Sequence, residues 1–459
     1  MKEREKLSSR LGFILVSAGC AIGIGNVYRF PLVTGMYGGA IFVLFYLLFV
    51  IGLGLPIMLA ELAVGRASRL SIANSFAKME RPGQHWHLMK YIGIAGNYLL
   101  MMFYTTIAGW FIIYFCKFLN ASVIKEGITL PASDLFTRIV SNPSLNFSAA
   151  FAAIVICFII CGFGLQKGVE RASKVMMTGL LLLLIALAIH SCNLHGAREG
   201  LKFFLLPSLE KFYAVGPKTV ICEAMAQAFF TLSVGFGSIA IFGSYIDKDQ
   251  NLLAGVSWIV ALDTFVAFCA GLVIFPACFT YLGGVGVDAN NISSSFLFTT
   301  LCTVFKAMNY GLLIGLFFFL FMIFASFSTI LAVFETITSF WLEGTRLSRR
   351  QIVLINIILI TILSLPAIFT FNIWSNFMPF GMNIITLEDK IVSSLLLPLG
   401  SLFYVLFCVT RYGWGFDNFL AEVNAGKAGA KLPHWIRPYM TFVLPFLIIF
   451  LLLNALGII

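Results

Sequence analysis

Asn26, Arg29, Glu61 and Asp263 stand inside long apolar runs, where amides and charges are costly. An arginine at the middle of a membrane span costs at least about 2.5 kcal/mol, so such residues are kept for a task. Asn26 and Arg29 belong to the stretch Ala18-Gly-Cys-Ala-Ile-Gly-Ile-Gly-Asn-Val-Tyr-Arg-Phe-Pro31. Gly19 and Gly23 there have the spacing of close helix packing, which accounts for those glycines but not for Asn26 or Arg29. A helix that unwinds near residues 22–25 accounts for all of them. It frees backbone carbonyls for cations and N–H groups for an anion. A second stretch, Phe229-Phe-Thr-Leu-Ser-Val-Gly-Phe-Gly237, repeats the pattern, with Thr231 and Ser233 beside Gly235 and Gly237. Ser326, Ser328 and Thr329 interrupt a Phe-rich run further on. A lone Ser or Thr in a membrane helix usually bonds its own i−4 carbonyl. Asp263 and Glu61 have no such outlet, and an intramembrane carboxylate marks a functional site by default.

The elements that must position these groups are membrane helices. Of 459 residues, 60% are hydrophobic and 11% charged, against about 25% charged in a soluble domain. Apolar runs long enough to cross a bilayer (roughly 20 residues) recur from end to end. The basic segment Lys2-Glu-Arg4-Glu-Lys6 precedes an apolar run with no small-residue cleavage pattern, so the first helix reads as retained and not as a signal peptide. Nothing arranges the formal +10 charge as a nucleic-acid surface, and no nucleic-acid partner is expected. Cys157 and Cys161 share a helical face without His or carboxylate neighbours and read as packing residues. No His lies at the level of the polar cluster, so no enzyme chemistry is expected.

Hydropathy predicts about eleven spans, near ~11–33, ~38–64, ~91–119, ~148–164, ~171–191, ~219–245, ~252–281, ~308–342, ~352–371, ~388–412 and ~436–457. The predicted organisation is a cytoplasmic segment 1–10, a first five-helix repeat 11–191, and an extracellular loop 192–218. A second five-helix repeat 219–412 follows, then a cytoplasmic loop and eleventh helix in 413–459. With the N-terminus cytoplasmic, inner segments hold about 20 Lys/Arg and outer ones about 9, as the positive-inside rule requires. The C-terminus is then extracellular, and the place a cell membrane crossed many times. Breaks in the first and sixth spans predict two inverted repeats with a site between them, an arrangement of which the family named next is itself an established example.

These residues resemble the neurotransmitter:sodium symporter family, more closely its bacterial amino-acid branch. The resemblance covers nearly the whole chain. It rests most on Gly23-Ile-Gly-Asn-Val-Tyr-Arg-Phe-Pro31, Gly65-Arg66, and Phe229 to Gly237 followed by Ser244-Tyr-Ile-Asp-Lys-Asp-Gln250. It implies an all-α sodium-coupled carrier with two ion sites. The first would use Ala21, Asn26, Thr231 and Asp263; the second Gly19, Ile22, Ala325, Ser328 and Thr329. The substrate carboxylate would meet Gly25, Tyr104 and the first ion. Its ammonium would meet Ala21, Phe230, Thr231 and Ser233. Leu100, Tyr104, Phe230, Phe236, Thr329 and Val333 would line the side-chain pocket, with Phe236 as its lid. Arg29 with Asp389, and Arg4 with Glu343, would be the gates.

The implied pocket holds no charge partner for a basic or acidic side chain, which favours a hydrophobic or aromatic amino acid. Monoamine carriers of the family place an Asp where this chain has Gly23, so here the carboxylate should come from the substrate. Chloride-dependent relatives place an Asn where Asp263 stands and a Ser one turn later, where this chain has Ala267. Chloride is therefore not expected, and sodium is the only ion implied. The alternative is a membrane sensor or auxiliary subunit that binds the amino acid without moving it. The sequence leaves the oligomeric state open.

Overall fold

In a bilayer every backbone N–H and C=O must find its partner within the protein, and a chain of apolar runs can do that only as helices. The computed structural model describes residues 7–124, 131–284, 296–426 and 429–458, and among the described residues no strand forms. Nine described helices are long and apolar enough to span a membrane. These are Ala40–Ser68 (span 2), Trp86–Ser122 (span 3), Pro143–Gly162 (span 4), Leu165–Cys192 (span 5) and Leu252–Leu282 (span 7). Gly311–Gly344 (span 8), Arg349–Ile368 (span 9), Ile384–Val409 (span 10) and His434–Ala455 (span 11) complete them. Span 1 is a pair, Arg10–Ala21 and Gly25–Met36, bent by 54°. Span 6 is also broken, into Pro217–Leu232 and Ser238–Gly243. The all-α membrane fold with interrupted spans 1 and 6 is the one expected.

Local chemistry sets where several spans begin. Ser9 caps span 1 by accepting from Gly12 N–H at 3.0 Å, and Asn251 caps span 7 by accepting from Ala254 N–H at 2.8 Å. Ser348 and Gln351 form a capping box at the start of span 9. Such caps explain why spans 4 and 9 start several residues earlier than hydropathy predicts: the window stops at polar residues that the helix uses. One expectation needs correction. The connection between spans 7 and 8 contains a further helix, Phe296–Ala307, which the reading by spans treated as loop. At 12 residues it is too short to cross a bilayer. The connection 192–218 likewise holds two short helices, Ala197–Leu205 and Leu209–Val215, the first packed on span 7.

The breaks sit at the centre of the bundle. Span 8 packs along span 3 and against the first half of span 1, and span 7 lies against both halves of span 1. Ile22 leaves the helix in an extended conformation (φ −72°, ψ 102°) and ends the first half of span 1. In span 6, Ser233 is left-handed (φ 51°) and Gly235 has φ 111°. A Cβ at Gly235 would also collide with the Leu397 carbonyl, so glycine is required there twice over.

Candidate functional site

The break in span 1 exposes carbonyls that span 8 reaches with hydroxyls. Thr329 Oγ1 donates to the Gly19 carbonyl at 3.2 Å and to the Ile22 carbonyl at 3.4 Å. Ser328 Oγ donates to Ile22 O at 3.4 Å and to Ala325 O at 2.9 Å. Five oxygens from Gly19, Ile22, Ala325, Ser328 and Thr329 thus meet in one place, all buried. A second oxygen group forms where spans 1, 6 and 7 meet. Asn26 Nδ2 donates to the Asp263 carboxylate at 2.8 Å and to its carbonyl at 3.0 Å. Thr231 Oγ1 donates to the other carboxylate oxygen at 3.1 Å. Asn26 Oδ1 accepts from Gly23 N–H at 3.1 Å, which ties the amide to the unwound segment. The first group is oxygen only, as an alkali cation prefers, whereas in the second Asn26 turns its amide nitrogen to Asp263 and its oxygen to Gly23 N–H. Among the described residues no group of three His, Cys, Asp or Glu side chains could hold a transition metal.

Between the two groups lies a cleft of about 20 Å³, room for a single water-sized body. Ala21, Gly23, Gly25 and Ser233 line its broken-helix side. Leu100, Tyr104, Phe230, Thr329 and Leu397 close the rest. Tyr104 accepts from Ile24 N–H at 2.9 Å, and Ser233 Oγ donates to Cys20 O at 3.3 Å. A Cβ at Gly23 would collide with the Tyr104 and Thr329 hydroxyls, so no aspartate fits at that position without displacing both.

Glu61 takes a different part from the ion-ligating residues. Its carboxylate accepts from the N–H groups of Gly235 (2.7 Å), Ile239 (3.1 Å) and Ala240 (3.3 Å). It caps the second half of span 6 and replaces the bonds lost at the break, with its charge facing a helix N-terminus. Asn97 assists, donating to the Phe236 carbonyl at 3.0 Å and accepting from Ser238 Oγ at 2.7 Å.

Tyr104 and Phe230 are also walls of a second, larger cavity of about 200 Å³. They form the septum between this vestibule and the central cleft. The Arg29 guanidinium stacks 4.7 Å over the Phe230 ring and donates to Gln227 Oε1 at 3.4 Å. Arg29 and Asp389 both line the vestibule, and among the described residues no ion pair joins them. Glu223, which sequence reasoning did not single out, lines it too. Its signal was available: it precedes Gln227 and Phe230 by four and seven residues, on one face of span 6. Phe236 and Val333, expected at the pocket, are fully buried and do not line the cleft; the ring of Phe236 packs on Gly96.

At the opposite mouth, Glu343 accepts from Ser71 N–H at 2.7 Å, while Arg4 lies outside the described residues. Two stronger networks occupy that end. The buried Glu335 pairs with Arg349 and accepts from the Tyr245 hydroxyl at 2.8 Å and Ser339 Oγ at 3.3 Å. The Arg349 Nε also reaches the Cys161 carbonyl at 2.8 Å. Arg66, fully buried, donates to Glu422 Oε1 at 2.7 Å, to the Glu422 carbonyl, and to Gln250 O at 2.7 Å.

A family profile described as the sodium:neurotransmitter symporter family matches residues 4–126 and 137–458. An uncharacterised sodium-dependent transporter of Bacillus subtilis is 33% identical over 453 residues, 98% of this chain and 97% of its own. A second one, from Methanocaldococcus jannaschii, is 27% identical over 463 residues, 97% and 90% of the two chains. The crystal structure of MhsT in complex with L-phenylalanine superposes with a TM-score of 0.87 at 33% identity, covering 99% of this chain and 100% of that one.

Proposed function

Because the chain belongs to the sodium:neurotransmitter symporter family, we propose that it moves a hydrophobic or aromatic amino acid into the cell, driven by two sodium ions. It is a sodium-dependent membrane transporter and not an enzyme. The finer reading rests on one observation: two buried polar groups, one all-oxygen and one built on the Asp263 carboxylate, flank a single apolar cleft between two broken spans. One sodium sits among the Ala21 and Thr231 carbonyls, the Thr231 hydroxyl, Asp263 and the Asn26 amide oxygen, which turns from Gly23 N–H toward Asp263 to reach it. The other sits among Gly19, Ile22, Ala325, Ser328 and Thr329. Both are cargo, and each ion replaces hydration with protein oxygens of fixed position.

The substrate carboxylate meets Gly25 N–H, the Tyr104 hydroxyl and the first sodium; its ammonium meets the carbonyls of Ala21, Phe230 and Thr231 with Ser233 Oγ. The crowding around Gly23 supports an amino acid over an amine, since the site has no room for an aspartate of its own. The co-crystallised phenylalanine of MhsT supports an apolar side chain. Asp263 supplies the negative charge that balances the ions, and Ala267 offers no anion a hydroxyl, so transport is chloride-independent. Arg29 closes the vestibule against Asp389, and the N-terminal mouth faces the cytoplasm.

Uptake into proteoliposomes tests this reading, with sodium replaced by potassium and chloride by gluconate in separate arms. Uptake of phenylalanine or leucine should require sodium and persist in gluconate. Uptake in potassium would remove the coupling, and collapse in gluconate would remove the role given to Asp263. Sodium-dependent binding without uptake would favour the sensor.

A further inference from the structure

The central cleft, with room for one water-sized body, is too small as it stands for a large apolar side chain such as leucine or phenylalanine, so one of its walls must yield. Ala21, Gly23 and Gly25 present backbone whose carbonyls and N–H groups are needed for the ions and the substrate carboxylate. Ser233 and Thr329 hold their hydroxyls on Cys20 and Gly19. Tyr104 and Phe230 form the septum to the vestibule. Leu100 on span 3 and Leu397 on span 10 are what remain to face a substrate side chain. Leu100 stands in the regular part of a long helix. Leu397 does not.

Span 10 widens into a π-turn over Ile391–Leu396, and the Leu397 N–H bonds Val392 O, five residues back. Pro398 follows and has no N–H to restore the α pattern. This turn solves a register problem. Asp389 lines the vestibule and Leu397 the cleft, eight residues apart. Two α-helical turns take about 7.2 residues, so an unbroken helix would rotate Leu397 nearly one residue past Asp389. The wide turn absorbs the surplus and returns Leu397 to the face that bears Asp389. Close approach to span 6 holds it there: a Cβ at Gly235 would strike the Leu397 carbonyl, and one at Gly400 would strike the Gly235 carbonyl.

We infer that Leu397 is a specificity-determining residue, set by the π-turn of span 10 against the substrate side chain. The inference rests on the amino-acid reading above and adds the residue that sets side-chain size. Leu397→Ala opens volume and should favour large side chains; Leu397→Phe closes it and should favour small ones. One methylene in an apolar pocket discriminates by roughly tenfold or more. The tryptophan-to-leucine affinity ratio should therefore rise at least tenfold in Leu397→Ala and fall comparably in Leu397→Phe.

The full chain in lipid nanodiscs, with sodium, is titrated with alanine, valine, leucine, phenylalanine and tryptophan, and binding is read by thermal shift. Opposite reorderings in the two variants carry the inference. The wild-type order retained in both overturns it. If Leu397→Ala does not fold, Leu397→Val takes its place beside Leu397→Phe, since it still opens volume but leaves a smaller cavity. Failure of all five amino acids to bind the wild type would instead remove the underlying amino-acid reading.

Discussion

The two mouths of the molecule hold their charges in opposite ways. At the vestibule, Arg29, Glu223 and Asp389 are half-buried and line one cavity, and among the described residues no ion pair joins them. At the other mouth the carboxylates are buried and joined: Glu335 with Arg349 and Tyr245, Glu422 with Arg66, and Glu170 with Lys174 and Ser8. The difference gives the closed mouth an energy scale. Parting a buried pair leaves an uncompensated charge and costs about 3–5 kcal/mol. Bringing half-exposed charges together across the vestibule costs or gains about 1 kcal/mol. Moving a two-state equilibrium from 1:99 to 99:1 takes about 5.5 kcal/mol, so one such latch is of the size that bound ions and substrate must overcome. In this conformation, closing the vestibule is the easy step. Opening the opposite mouth is the costly one.

The largest effect expected is from breaking the latch between spans 8 and 9. Glu335→Gln leaves Arg349, 18% exposed, without its carboxylate, and weakens the Tyr245 bond. The variant should lose roughly 3 kcal/mol of stability or spend far more time open at this mouth. Cys161 is the natural reporter, because it is fully buried and its carbonyl holds Arg349. Its alkylation, read peptide by peptide by mass spectrometry, should accelerate by about two orders of magnitude if the loss appears as opening. Unchanged melting together with unchanged labelling would remove the contrast between the mouths.

A smaller effect should follow from keeping a charge and changing its shape. The Arg66 guanidinium reaches Glu422 through both side chain and carbonyl, and also Gln250, so it ties span 2 to two connecting segments. A lysine ammonium keeps the charge but lacks the planar fork that satisfies these acceptors together. Arg66→Lys should cost about 1–3 kcal/mol, from acceptors left unsatisfied in a buried setting. Urea or thermal unfolding of the purified protein measures it. A variant as stable as the wild type would mean that charge alone holds this mouth.

These networks were only partly legible in the sequence. Where structure follows from local composition, the reading succeeded: runs of apolar residues gave the spans, and Gly235 and Gly237 beside Thr231 gave a broken helix. The rule that drew attention to Asp263 and Glu61 also applies to Glu335, which stands in the same apolar run as Thr329 and was passed over. Glu61 shows the limit of that rule. It marks a carboxylate as important without saying whether it meets a cargo or a helix end, because the answer lies in span 6, 174 residues away. Leu397 carries no sequence signal at all. A leucine in an apolar run looks like any other until the wide turn before it fixes the face it occupies. Helix Phe296–Ala307 was missed because length alone decides between span and loop, and its 12 residues fall between the two.

The smallest effect should come from the vestibule, and its sign tests what the charges do there. The vestibule lining sets two carboxylates beside one guanidinium, a local excess of negative charge that Lys390 at the rim offsets in part. A field of that sign raises the local concentration of cations at the entrance. Glu223→Gln removes it. No ion pair is lost among the described residues, so stability should stay within about 0.5 kcal/mol of wild type. The apparent sodium affinity should fall about two- to threefold at low ionic strength, by loss of that field. Screening shortens to about 10 Å at 0.1 M salt, so the difference should shrink as choline chloride is added at fixed sodium. Asp389→Asn removes the same charge from the same cavity and should lower sodium affinity alike at low salt. It should also slow uptake at high salt if Asp389 is the partner on which Arg29 closes. Equal behaviour of the two variants at every salt concentration would make them interchangeable members of one field, and the vestibule would then have no dedicated gate pair.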